Sequence, residues 1–114
     1  MPNDCWNHIT LTADAPTLDA LMGNEFREIP EVKILQRGVE GVVIRTWSRW
    51  QPDFDWLERL ITQYPSCWLK NEWKEEGGNA GVWIGTMRSG TKVIRRMEWE
   101  DMCLEDISDK FRTQ

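Results

Sequence analysis

The chain carries one histidine and three cysteines in 114 residues, and no two of the cysteines form a CxxC pair. A standard zinc site built from local Cys/His motifs is therefore excluded. Cys5, Cys67 and Cys103 are an odd number at wide spacing, which reads as reduced, buried thiols and a cytoplasmic protein. Basic residues are also scarce: 14 Lys and Arg face 19 Asp and Glu, for a formal charge of −5. Neutralising phosphates is the work of Lys and Arg, so this balance weighs against duplex nucleic acid as a partner unless the charge is strongly segregated. No apolar run approaches the ~18 residues of a membrane span, and the N-terminus has no basic-then-apolar signal pattern. The expectation is a soluble protein with no membrane partner.

Tryptophan, by contrast, occurs eight times. Each indole buries a large area yet brings an N–H that needs a partner, so eight imply a core that reaches the surface or a surface used for binding. The chain length suits one domain, residues 1–114, with residues 100–114 as an acidic C-terminal extension.

Alternation and helical spacing then divide the chain. Cys5 to Thr12 is β-rich, with Ile9 and Leu11 on one face and His8, Thr10 and Thr12 on the other. Asp14 or Thr17 caps a helix carrying Pro16 in its first turn and a Leu18, Leu21, Met22 stripe that reaches toward Phe26. Val32 to Leu35 is a short extended segment, and Val42 to Trp50, VVIRTWSRW, a central strand. A second helix follows Pro52-Asp53, with Phe54, Leu57, Leu60, Ile61 and Tyr64 on one side, and Tyr64-Pro65 ends it. Three strands complete the pattern, from Cys67 to Lys74, Ala80 to Met87 and Thr91 to Trp99, the last two joined at a Ser89-Gly90 hairpin signal. Whether Val93 and Met97 or Ile94 point inward is left open by the alternation. The order predicts an α+β fold: a ferredoxin-like βαββαβ core, a mostly antiparallel sheet with two helices on one face, and an extra C-terminal hairpin strand.

The opening Met1-Pro2-Asn3-x-Cys5-x-Asn7-x-Ile9-Thr10 resembles the start of the YubB-type ferredoxin-like proteins of plasmids and phages. The likeness extends to Thr46-Trp47-Ser48 with Gln51-Pro52, to Tyr64-Pro65, and to Glu75-Glu76-Gly77 with Ala80-Gly81-x-Trp83. The chain departs in carrying Asp4 where that family usually has an aromatic, with Trp6 two places on, and in a shortened loop before Ala80-Gly81. The resemblance implies a ferredoxin-like fold and a mobile-element origin, but no settled activity.

Candidate site residues follow from strand parity and composition. Arg45, Trp47 and Arg49 share parity, so all three leave one face of the sheet, where an aromatic between guanidiniums can stack a planar ligand or an unpaired base. The competing reading packs Trp47 and pairs the arginines with Glu72, Glu75 or Glu98. Trp68, Trp73, Trp83 and Trp99 stand on the last three strands as core or as partner surface, Trp83 being the partner-site candidate among them. Glu75 and Glu76, beside Gly77-Gly78-Asn79, form a weak carboxylate pair in a turn, and this turn lacks the Lys-Ser/Thr of a phosphate loop, so no cofactor is expected. Cys5 and His8 differ in parity and cannot act together as nucleophile and base.

The leading expectation is a non-enzymatic phage- or plasmid-type accessory protein acting by protein–protein binding, modulating a host or defence nucleoprotein through the Trp-bearing sheet and an acidic rim. The alternative is a sheet-face binder of single-stranded nucleic acid or nucleotide at Arg45, Trp47 and Arg49. An edge strand, Val32 to Leu35 or Thr91 to Trp99, offers a route to a homo-oligomer.

Overall fold

A computed structural model describes residues 4–27, 29 and 32–98. In chain order the elements are β1 (Asp4–Thr12), α1 (Ala15–Asn24), β2 (Lys33–Arg37), β3 (Gly41–Arg49), α2 (Phe54–Gln63), β4 (Trp68–Glu75), β5 (Ala80–Thr86) and β6 (Val93–Glu98). The strands form one six-stranded sheet in the order β2-β3-β1-β4-β5-β6, and every neighbouring pair is antiparallel. The fold is therefore α+β and compatible with a ferredoxin-like arrangement.

Local chemistry sets the helix boundaries. Asp14 caps α1, one carboxylate oxygen accepting the Thr17 amide at 3.2 Å, and Pro16 stands in the first turn where its missing N–H costs nothing. Asp53 does the same for α2, accepting the Trp56 amide at 3.1 Å. Tyr64, held out of helical geometry by Pro65, closes α2.

The apolar stripes of both helices meet the odd-numbered face of β1 and the matching residues of its neighbours. Ile9, Leu11, Val42, Ile44 and Leu69 pack there against Leu18, Leu21, Leu57, Leu60 and Ile61. Trp73 and Trp83 join this side, and each indole lies over a glycine that no larger residue could replace without movement, Trp73 over Gly81 and Trp83 over Gly85. Trp83 is 3 % exposed, so it is a core residue and does not offer itself to a partner. Trp99 lies outside the described residues, as does the acidic segment 100–114.

Three details depart from the alternation pattern. Val42 to Arg49 is a strand, but Trp50 leaves it at φ 73°, and the Gln51 amide donates to the Arg49 carbonyl at 2.8 Å, closing a γ-turn. Residue 35 is an extra residue where the β2–β3 register shifts, and Ile34 and Leu35, like the rest of this edge strand, are exposed. The β5–β6 connection spans residues 87–92 instead of a two-residue turn. Within it the Arg88 guanidinium donates to the Ser66 carbonyl at 2.7 Å and the Thr12 carbonyl at 3.0 Å, tying the connection to two other parts of the chain.

Candidate nucleic-acid interface

Because both helices cover one side of the sheet, the even-numbered residues of β1 and their cross-strand partners form an open face. Register places Trp6 directly opposite Trp47, and His8 between Arg45 and Glu72. Arg45, Trp47 and Arg49 do share this face. Trp47 is half-buried and its indole N–H donates to Asp4 at 2.7 Å across the strand pair. Trp6 is 47 % exposed, and the Arg45 guanidinium lies 5.9 Å from its ring centroid, within reach of the ring's negative face.

Neither Arg45 nor Arg49 makes an ion pair among the described residues. The carboxylates that could have taken them are committed elsewhere. Glu72 pairs with Lys70 at 3.0 Å, Glu98 with Arg96 at 2.5 Å, and Glu75 turns to the opposite side of the sheet.

The open face is also charged against the average of the chain. Lys33, Arg45, Arg49, Lys70, Lys74 and Arg95 stand on it, opposed only by Asp4 and Glu72 among the described strand residues. A cationic, aromatic face in a chain of charge −5 is the segregation that composition could not reveal. A depression of about 430 Å³ opens on it, lined by Trp6, His8, Arg45, Glu72, Lys74 and Val82 among others. That volume falls within the ~300–1,000 Å³ of small-molecule sites.

The remaining candidates go elsewhere. Glu75 is 6 % exposed, on the helix side, while Glu76 is exposed in the turn, its amide donating to the Asp4 carbonyl at 2.9 Å. The pair is not a two-carboxylate site. Cys5 is buried on the helix side, away from His8, and burial raises its thiol pKa above the ordinary value; burial likewise pushes Cys67 up to about 11. Both are thiols at neutral pH and poor nucleophiles. Among the described residues no cluster of His, Cys, Asp or Glu could hold a metal ion, and no helix is long and apolar enough to cross a membrane.

Trp6, Lys74 and Glu72 enter the site from geometry. Extending the β1 alternation back from His8 puts Trp6 on the same face; its contact with Arg45 and its place opposite Trp47 required the strand neighbours. Comparison with protein-family models, curated proteins and solved structures finds no match.

Proposed function

We propose that the chain is a binding module whose open sheet face takes single-stranded nucleic acid or a nucleotide. The observation that carries this reading is the exposed Trp6 beneath Arg45, on a face where cations outnumber carboxylates. An indole accepts any base by stacking, and unpaired Arg and Lys meet the phosphates, so the two ligand parts have separate partners. Duplex nucleic acid fits less well, since its bases are stacked on one another and not available to an indole on a broad sheet. The test is a fluorescence titration with single strands of about ten nucleotides. Trp6→Ala removes the stacking platform and is expected to weaken binding by about 5- to 150-fold, from ~1–3 kcal/mol per stacked base. Trp47→Ala is expected to diminish quenching as well. Silence of the wild-type protein at low salt disposes of the proposal.

A second reading, partner-protein binding by a phage- or plasmid-type accessory protein, draws on a different part of the same face. Val93 and Met97 of β6 are exposed beside Val82 and Ile84 of β5, an apolar strip at the sheet edge. We also read β2-β3-β1-β4 as a ferredoxin-like βαββαβ core, with β5 and β6 appended as a hairpin. The strand order and antiparallel directions support this reading, as does the YubB-type resemblance of the opening residues.

A further inference from the structure

A carboxylate stands beside the stacking platform of the open face. Of the two acidic side chains there among the described strand residues, Glu72 lines the depression at Trp6, whereas Asp4 lies outside that lining and accepts the Trp47 indole N–H at 2.7 Å. Register fixes the surroundings of Glu72. Along β4, Lys70, Glu72 and Lys74 stand opposite Thr10, His8 and Trp6 of β1. Glu72 is thus a diagonal neighbour of Trp6, ~7–8 Å away and within reach of a long side chain. Lys70, one position further from Trp6 on the same face, holds one carboxylate oxygen at 3.0 Å. That ion pair steadies the carboxylate and leaves it lone pairs to accept more. The Glu72 side chain is 49 % exposed, so a ligand seated on Trp6 can reach it.

The two oxygens of a carboxylate fit two adjacent N–H donors. Among the common bases guanine alone offers them on its pairing edge, N1–H beside the N2 amino group. Adenine and cytosine set a ring-nitrogen acceptor next to their amino group, and uracil or thymine flanks N3–H with two carbonyls. Each of these turns a lone pair toward the second carboxylate oxygen, which costs affinity. The third group of the guanine edge, O6, is an acceptor, and His8 stands directly across from Glu72 in the same lining. Either neutral tautomer of an imidazole carries one N–H to donate. Arg45 and Lys74 remain for the phosphates.

We propose that the open face selects guanine. Stacked on Trp6, the base donates N1–H and its amino group to Glu72 and accepts at O6 from His8. This preference rests on the reading of the face as a binder of single strands or nucleotides, and it makes Glu72 the residue that sets specificity.

The experiment compares the trinucleotides d(TGT), d(TIT), d(TAT) and d(TTT), in which hypoxanthine keeps O6 and N1–H but lacks the amino group. Affinities are read from the Trp6 indole N–H shift of ¹⁵N-labelled full-length protein. The guanine strand is expected to bind about 5- to 150-fold tighter than the adenine strand, from ~1–3 kcal/mol for a two-bond base contact, with hypoxanthine between them. In Glu72→Gln the ratio of guanine to adenine affinity is expected to fall to unity or below, while the adenine strand binds no more weakly than before because a negative charge has left the face. Equal guanine and adenine affinities in the wild type, a preference that survives Glu72→Gln, or a uniform loss of all four strands in that variant overturns the proposal and leaves the single-strand reading standing. Silence of every trinucleotide overturns it as well, and takes the single-strand reading with it if the longer strands are silent too.

Discussion

Salt dependence gives the proposed interface a quantitative signature. Arg45, Arg49 and Lys74 surround Trp6 on the open face and make no ion pair among the described residues, whereas Lys70 is held by Glu72. If those three each neutralise one phosphate, the logarithm of affinity falls with the logarithm of salt at a slope of about −2, from ~0.7 per contact on a single strand. Raising salt from about 50 to about 200 mM should then weaken binding about 20-fold. Arg45→Gln removes one contact, so the slope drops to about −1.4 and the same change costs about 7-fold. Lys92→Gln is the control, since Lys92 pairs with Glu58 of α2, away from the open face, and should leave the slope unchanged. The assay is fluorescence anisotropy of a labelled single strand across a salt series. A slope near zero, or one that Arg45→Gln and Lys92→Gln alter equally, refutes the assignment of the phosphate contacts.

Further outcomes follow from packing, backbone and titration. A methyl on Gly81 would lie 2.7 Å from both the Met97 carbonyl oxygen and a Trp73 ring carbon, so Gly81→Ala should cost about 1–3 kcal/mol by overpacking. Gly23→Ala meets nothing within 4 Å and should add about 0.5–1 kcal/mol through helix propensity; urea melts of the two variants measure the contrast. Trp50, more than half exposed at φ 73°, occupies a conformation costing ~1–3 kcal/mol for a bulky residue, so Trp50→Gly should melt no lower than wild type. Asp14 accepts hydrogen bonds from Ser66 and Thr17, which hold its carboxyl below the usual range. Its folded pKa being depressed, its contribution is complete above the ordinary carboxylate pKa and fades as pH falls through the folded value; the melting-temperature gap between wild type and Asp14→Ala should narrow on acidification. Iodoacetamide should modify the Cys5 and Cys67 peptides only after unfolding, because both thiols are buried with raised pKa.

Much of the fold is legible from period and punctuation, because each helix carries its own cap and each strand its own alternation. Parity assigned Arg45, Trp47 and Arg49 to one face and separated Cys5 from His8 with no knowledge of neighbours. What parity cannot supply is which strands adjoin. Trp6 meets Trp47 only because β1 lies beside β3, and Arg45 is left to Trp6 only because Glu72 is taken by Lys70 and Glu75 faces the helices. The tryptophans of the last strands were ambiguous for a related reason: Trp68 and Trp73 have opposite parity on β4, so an aromatic occurs on each face and the sequence alone does not say which face is covered. Ser89-Gly90 does lie in the connection of the antiparallel β5–β6 pair, where the Gly90 amide donates to the Met87 carbonyl at 2.9 Å, but the connection is longer than two residues, and the bonds of Arg88 within it to Ser66 and Thr12 are long-range and invisible locally. The register of the last strand is now readable: Val93 and Met97 pair with Thr86 and Val82 on the open face, and Ile94 lies on the helix side.

Photo-crosslinking tests the central claim most directly. A single-stranded oligonucleotide substituted with 5-bromouracil, irradiated in complex with the full-length protein and mapped by mass spectrometry, should attach to the peptides bearing Trp6 and Trp47 on the open face. Adducts confined to Trp56, on the helix side, or no adduct at low salt, would contradict it.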